Sequence, residues 1–122
     1  MMNNLIMTNT EYRFACIVWE HEPITSPLLA KLCEEKLGWK RTTMYIVLKK
    51  LYNRGILMNQ STIVTSILSQ SQVQNITCKS ILNDRFNDKL PQFIATYLNG
   101  RQISLEEAEQ IKAMIGSHVE IC

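Results

Sequence analysis

Between Thr25 and Gly55 the chain carries two complete sets of helix start and stop signals, joined by a turn at Gly38. This pair limits the available folds more than any other feature. Thr25-Ser26-Pro27 supplies a hydroxyl cap followed by proline at the first helical position, where its missing N–H costs nothing. Leu28, Leu29, Leu32, Cys33 and Leu37 then form one apolar stripe, and Gly38 is placed to stop the helix. Trp39-Lys40-Arg41-Thr42-Thr43 opens the next helix, with Met44, Val47, Leu48 and Leu51 at i, i+3, i+4 and i+7. Gly55 follows where a left-handed residue is wanted. Each stripe must be buried against another element. Two helices across a glycine turn, the second one basic, form the helix-turn-helix plan.

The flanking segments complete this plan. Thr8-Asn9-Thr10-Glu11 has the form of a capping box, and Tyr12, Ala15, Cys16, Val18 and Trp19 recur at helical spacing up to Glu20-His21-Glu22-Pro23. Ile24 is an isolated apolar residue suited to a short strand. After Gly55 the period changes: Ile56–Met58 and Ile63–Leu68 are β-prone pieces separated by Asn59-Gln60-Ser61-Thr62, and a further β-prone piece is expected around Val73 to Thr77. A hairpin directly after a basic helix reads as a wing.

Helical spacing returns from Lys79, through Phe86, Leu90, Phe93, Ile94, Tyr97 and Leu98, with Pro91 demanding a kink or two helices. Ser104-Leu105-Glu106-Glu107 is a second capping box, opening a helix with Leu105, Ala108, Ile111 and Ile115. Short helices with narrow apolar stripes cannot bury them alone, and two at the end of a small chain suggest a two-fold homodimer. The expected fold is mainly α with a small β-hairpin. A winged helix-turn-helix over residues 1–78 precedes a helical dimerisation domain over residues 79–122.

Charge singles out one segment. From Lys31 to Arg54, seven basic residues face only Glu34 and Glu35, a balance of +5, whereas the whole chain carries +2. One basic element in an otherwise mildly acidic chain is the footprint of contact with a polyanion. By contrast, Leu57 to Cys78 contains no charged residue.

Other classes find little support. Cys16, Cys33, Cys78 and Cys122 include no close pair of the kind a structural zinc site uses, and buried or inert thiols are expected. His21 and His118 read as surface residues. Trp19 and Trp39 resemble stacking platforms, but their places on and beside apolar stripes favour packing. No nucleophile elbow, zinc-protease motif or phosphate-binding glycine pattern is present. No apolar run approaches membrane-spanning length and no signal peptide is evident, so a cytoplasmic protein is expected.

The segments Thr10-Glu11, Val18-Trp19, Pro23-Ile24-Thr25, Gly38-Trp39-Lys40-Arg41-Thr42-Thr43, Leu48-x-x-Leu51-x-x-x-Gly55-Ile56-Leu57 and Ser104-x-x-Glu107 occur in a telling order. From about Thr8 to Ile115 the chain resembles the penicillinase and methicillin-resistance repressor family, which includes copper-responsive repressors. The resemblance implies a dimeric repressor on a palindromic operator of double-stranded DNA, with no enzymatic activity and no obligatory cofactor. It also implies that Thr42, Thr43 and Tyr45 face bases, with neighbouring basic residues on phosphate. This chain departs from many members in having Tyr45 in place of Arg and Ile46 in place of Thr. Some members are cut by a sensor-protease pathway at an Asn-Phe bond, which aligns with Thr96-Tyr97 here. The paired C-x-C clusters of copper-responsive members are not reproduced by Cys122.

The residues themselves suggest roles. Lys40 and Arg41 open the third helix, whose N-terminus favours phosphate, and Arg41 has the geometry to read guanine. One of Thr42 and Thr43 is expected to cap this helix. Tyr45 points away from the apolar stripe, toward the groove. Lys49 and Lys50 extend the positive stripe and Arg54 contacts backbone from its end. Two other readings stand beside the repressor: a winged helix mediating protein contacts, suggested by the uncharged wing, and a ligand-sensing regulator of the MarR or PadR type. Little room for a ligand pocket is expected between the last helices.

Overall fold

The computed structural model describes residues 5–120. Its elements run α1 (Asn9–His21), β1 (Ile24–Thr25), α2 (Ser26–Leu37), α3 (Arg41–Asn53), β2 (Leu57–Gln60), β3 (Ile63–Ser66), α4 (Gln70–Phe86), α5 (Leu90–Leu98) and α6 (Leu105–Ser117). This is a mainly helical winged helix-turn-helix followed by further helices.

Local signals fix most helix ends. Thr8 and Glu11 close a reciprocal capping box at the start of α1. The Thr25 hydroxyl accepts from the Leu28 N–H, and Gly38 ends α2 in the left-handed region at φ 70°. Ser104 caps α6 by accepting from the Glu107 N–H. Such bonds link residues three apart and so survive translation from sequence to structure.

The three strands form an antiparallel sheet in the order β1-β3-β2. Ile24 sits opposite Val64, and Leu57 opposite Ser66. The hairpin turns on Ser61 and Thr62, at φ 53° and 66°. Two consecutive left-handed residues give the twist that a tight hairpin needs, but a β-branched threonine is strained there. The Ser26 N–H donates to the Thr62 carbonyl at 2.8 Å, so the start of α2 pins the turn. The strands are therefore shifted from expectation: the four-residue loop contracts to two residues, and Asn59 and Gln60 join β2.

A single core lies between α1, α2, α3 and the sheet. Phe14, Val18, Leu29, Cys33, Met44, Leu51, Leu57 and Val64 are all fully buried within it. The buried face of α1 centres on Phe14, Ala15, Ile17 and Val18, while Tyr12, Cys16 and Trp19 lie at its margin. Trp39 stacks on Phe14 with ring centroids 5.5 Å apart, and the Trp19 indole N–H donates to the Leu68 carbonyl at 3.0 Å. Both tryptophans thus pack, as their stripes suggest. The Glu22 carboxylate accepts from the Ser66 N–H and hydroxyl, fastening the end of α1 to β3.

One expected element is wrong. Val73 to Thr77 is not a strand but lies inside α4. Ser69 and Gln72 form a reciprocal capping box that starts this helix, and Val73 is buried against the body. Gln70 and Gln74 each donate to the Tyr12 hydroxyl, holding the first turns of α4 on α1. A nucleated helix with tertiary anchors overrides the weak β preference of one short stretch.

α4 runs through residues 78 and 79 and ends at Asn87 and Asp88, both left-handed at φ 51° and 61°. Asn and Asp tolerate that region better than other side chains. The chain thus breaks before Pro91, which sits in the first turn of α5, where proline is accommodated. Phe86 and Phe93 meet edge to face, 5.2 Å between centroids, across the break. α5 and α6 contain no buried residue.

Candidate nucleic-acid interface

α3 is set into the body by Met44, Leu48 and Leu51, all buried, with Val47 packed beside them. At 100° per residue, the line opposite this anchor runs through Thr42, Ile46, Lys49 and Asn53. All four are exposed. Arg41, Tyr45 and Tyr52 flank the line on one side, and Thr43 and Lys50 on the other.

The start of the helix departs from expectation. The cap residue is Lys40, in extended backbone at φ −72° and ψ 155°, and no side chain caps this end. Thr42 and Thr43 therefore lie within the first turn and neither is the N-cap. Gly38 is left-handed and Lys40 extended, so the helix begins at Arg41, before either threonine. Free N–H groups at a helix start attract anions, and here Lys40 and Arg41 stand beside them. Among the described residues, Lys40, Arg41 and Lys49 enter no ion pair. Lys50 feels the Glu11 carboxylate electrostatically.

Tyr45 turns toward α2 rather than straight outward. Its hydroxyl donates to the Ser26 Oγ at 3.3 Å, and Ser26 is the buried polar residue of the core. Tyr45, Lys49, Tyr52, Asn53 and, from β2, Asn59 line a shallow groove of about 430 Å³ between α3 and the wing. Ser26, Tyr52, Asn53 and Asn59 escape a reading based on charge. Only the i+4 and i+11 spacing of Asn53 from Lys49 and Thr42 pointed to its place.

Arg54 sits apart from this face. Its Nη1 lies 3.0 Å from both carboxylate oxygens of Glu11, and its Nη2 donates to the Ile6 carbonyl at 2.6 Å. Burial pushes the Glu11 carboxyl pKa up, but the Thr8 N–H and the Arg54 guanidinium outweigh it and hold it below its ordinary value. Arg54 thus braces the end of α3 against the start of α1.

The wing offers no charge. Met58 and Ile63 are exposed apolar residues on it, and Ile67 lies just beyond. Among the described cysteines, Cys33 is fully buried and burial pushes its thiol up to about 11. Cys16 is part-buried, and burial followed by the nearby Glu20 raises it as well. Cys78, expected to be buried or inert, is exposed, and Cys122 lies outside the described residues. His21 and His118 are exposed; each places its Nδ1 against a carbonyl four residues earlier. No group of three potential metal ligands occurs among the described residues. None of their helices is long and apolar enough to cross a membrane.

Seven of the residues expected at a subunit contact fall on two grooves. Phe93, Ile94, Tyr97, Leu98, Ala108 and Ile111 line one of about 740 Å³ between α5 and α6. Leu90 and Phe93 line a second, of about 320 Å³, with Cys78, Ile81 and Leu82 of α4. Phe86 stands at the α4–α5 corner, while Leu105 and Ile115 are 77% and 52% exposed. Thr96 and Tyr97 lie within α5, with the Arg101 guanidinium 4.8 Å above the Tyr97 ring.

Residues 7–117 match the family model described as penicillinase repressor, covering nearly the whole chain. A comparison with curated proteins found no match. Groove volume does not separate this chain from ligand-sensing winged-helix regulators, but the family match does.

Proposed function

Because the chain belongs to the penicillinase repressor family, whose members are DNA-binding transcriptional repressors, we propose that it acts as a homodimer on a palindromic operator. In this reading α3 enters the major groove of each half-site. Lys40, Arg41 and the first N–H groups of α3 hold phosphate, and Thr42, Thr43, Tyr45, Ile46 and Lys49 face base edges. Lys50 lies on the adjoining strand, and Arg54 serves the site by bracing the helix. The observation that carries this is the uncapped, basic start of a helix whose opposite face is fully anchored.

We divide the chain into a DNA-binding part, residues 1–78, and a dimerisation part, residues 79–122, with α4 joining them. The apolar residues of α5 and α6 are the surfaces a second copy covers. Such a repressor works beside the chromosome, in the cytoplasm. Control by a sensor protease at Thr96-Tyr97 would require α5 to open first, because its peptide bonds are held in helical hydrogen bonds.

Fluorescence-polarisation titration on duplex from the protein's own promoter region, at two salt concentrations, tests the reading. Binding tighter than to random duplex is expected, with Lys49→Ala costing ~1–3 kcal/mol through its lost base contact. The salt slope should fall by about one unit in Arg41→Ala, whose guanidinium meets phosphate. Equal affinity for promoter and random duplex overturns the repressor and favours protein contacts through the uncharged wing.

A further inference from the structure

The outward line of α3 holds one bare aliphatic side chain. Ile46 is 57% exposed, more than Tyr52 at 49% or Tyr45 at 37%. Tyr45 is engaged by Ser26, and Tyr52 turns into the groove beside the wing. Ile46 stands between Thr42, one turn before it, and Lys49, one turn after it, on the side opposite the buried anchor. An isoleucine there supports neither the core nor helix propensity. Set among polar residues on the outward line, it is open to an apolar feature of the surface that α3 meets.

In the major groove almost every base-pair feature is a hydrogen-bond donor or acceptor; the C5-methyl of thymine is the apolar one. Placing Ile46 against a donor or acceptor would strip that group of water without a partner. We infer that Ile46 is a specificity-determining residue that reads the C5-methyl of a thymine, once in each half-site. Thr42 and Lys49 supply the polar contacts on either side of the methyl. The inference rests on the repressor reading above and adds a base identity that family membership does not fix.

The test uses the full chain and a duplex recovered by repeated selection from a randomised library. Each thymine of that duplex is then replaced in turn by deoxyuracil, which removes only the methyl. One symmetry-related pair should stand out. A methyl carries about 0.8 kcal/mol of apolar burial, so each replacement should weaken binding about fourfold, and both together about fifteenfold. The ratio should be the same at low and high salt, since no charge is involved. Ile46→Ala should shrink it to within twofold, and thermal melting should show the variant folded, because the position is exposed and alanine favours helix.

If no thymine replacement changes affinity by more than twofold, or Ile46→Ala keeps the full loss, the inference is overturned while the repressor reading stands. If selection enriches no sequence above random duplex, the repressor reading fails and this inference falls with it.

Discussion

The two ends of this molecule are built from helices of similar length but opposite packing. α1, α2 and α3 each lose a full face to one core, whereas α5 and α6 are amphipathic yet contain no buried residue. Sequence periodicity looks alike in both. The difference teaches that an apolar stripe reports a need for burial and says nothing about whether the same chain meets it. In the first half the sheet and three helices close on each other. In the second, the grooves along α5 stay open, and a partner copy is what the proposed function places there.

The largest effect should come from the closed half. Phe14→Ala removes a fully buried ring that also supports Trp39, and about 3–5 kcal/mol of stability should be lost in urea titration. A loss below 1 kcal/mol would mean the body is less tightly closed than its burial indicates. The open half should respond differently. Ile111→Glu places a charge in the groove between α5 and α6, and sedimentation equilibrium should then show a monomer at micromolar concentration, with the melting of the winged-helix body retained. If the unaltered chain is itself a monomer, the contrast loses its meaning and residues 79–122 need another role.

A smaller effect should come from the brace between α1 and α3. The pKa of Glu11 is lowered in the folded protein, so its stabilisation is present above the ordinary carboxylate range and is lost as pH falls through the folded value. Glu11→Gln should therefore cost about 1–2 kcal/mol at neutral pH, and the gap to the parent should close in acid. A gap independent of pH would show that the brace acts by packing alone.

Much of this architecture was legible from residues a few places apart. The Thr8, Thr25 and Ser104 caps and the left-handed Gly38 follow from hydrogen bonds that span three to five positions. The order of helix, helix, helix and hairpin was equally readable, as was the family. Ser69 and Gln72 carried the signal for α4, but the β-prone residues after them obscured it. The candidate interface was read in part: its basic residues were visible, but which of them face outward together was not. Thr42 and Thr43 as rival caps, and Arg54 as a DNA contact, came from position along the chain without knowledge of what stood nearby.

The sequence by itself determined the starts of α1, α2 and α6, the presence of a wing and the basic character of α3, because capping, turn chemistry and charge are local. Only the tertiary structure decided where those charges go. Arg54 meets Glu11 from 43 residues away, Tyr45 meets Ser26 from 19, and Ser66 meets Glu22 from 44. Such partners are chosen by how the core brings elements together. With Arg54 and Tyr45 held in that way, Thr42, Ile46 and Lys49 are left on the open line of α3.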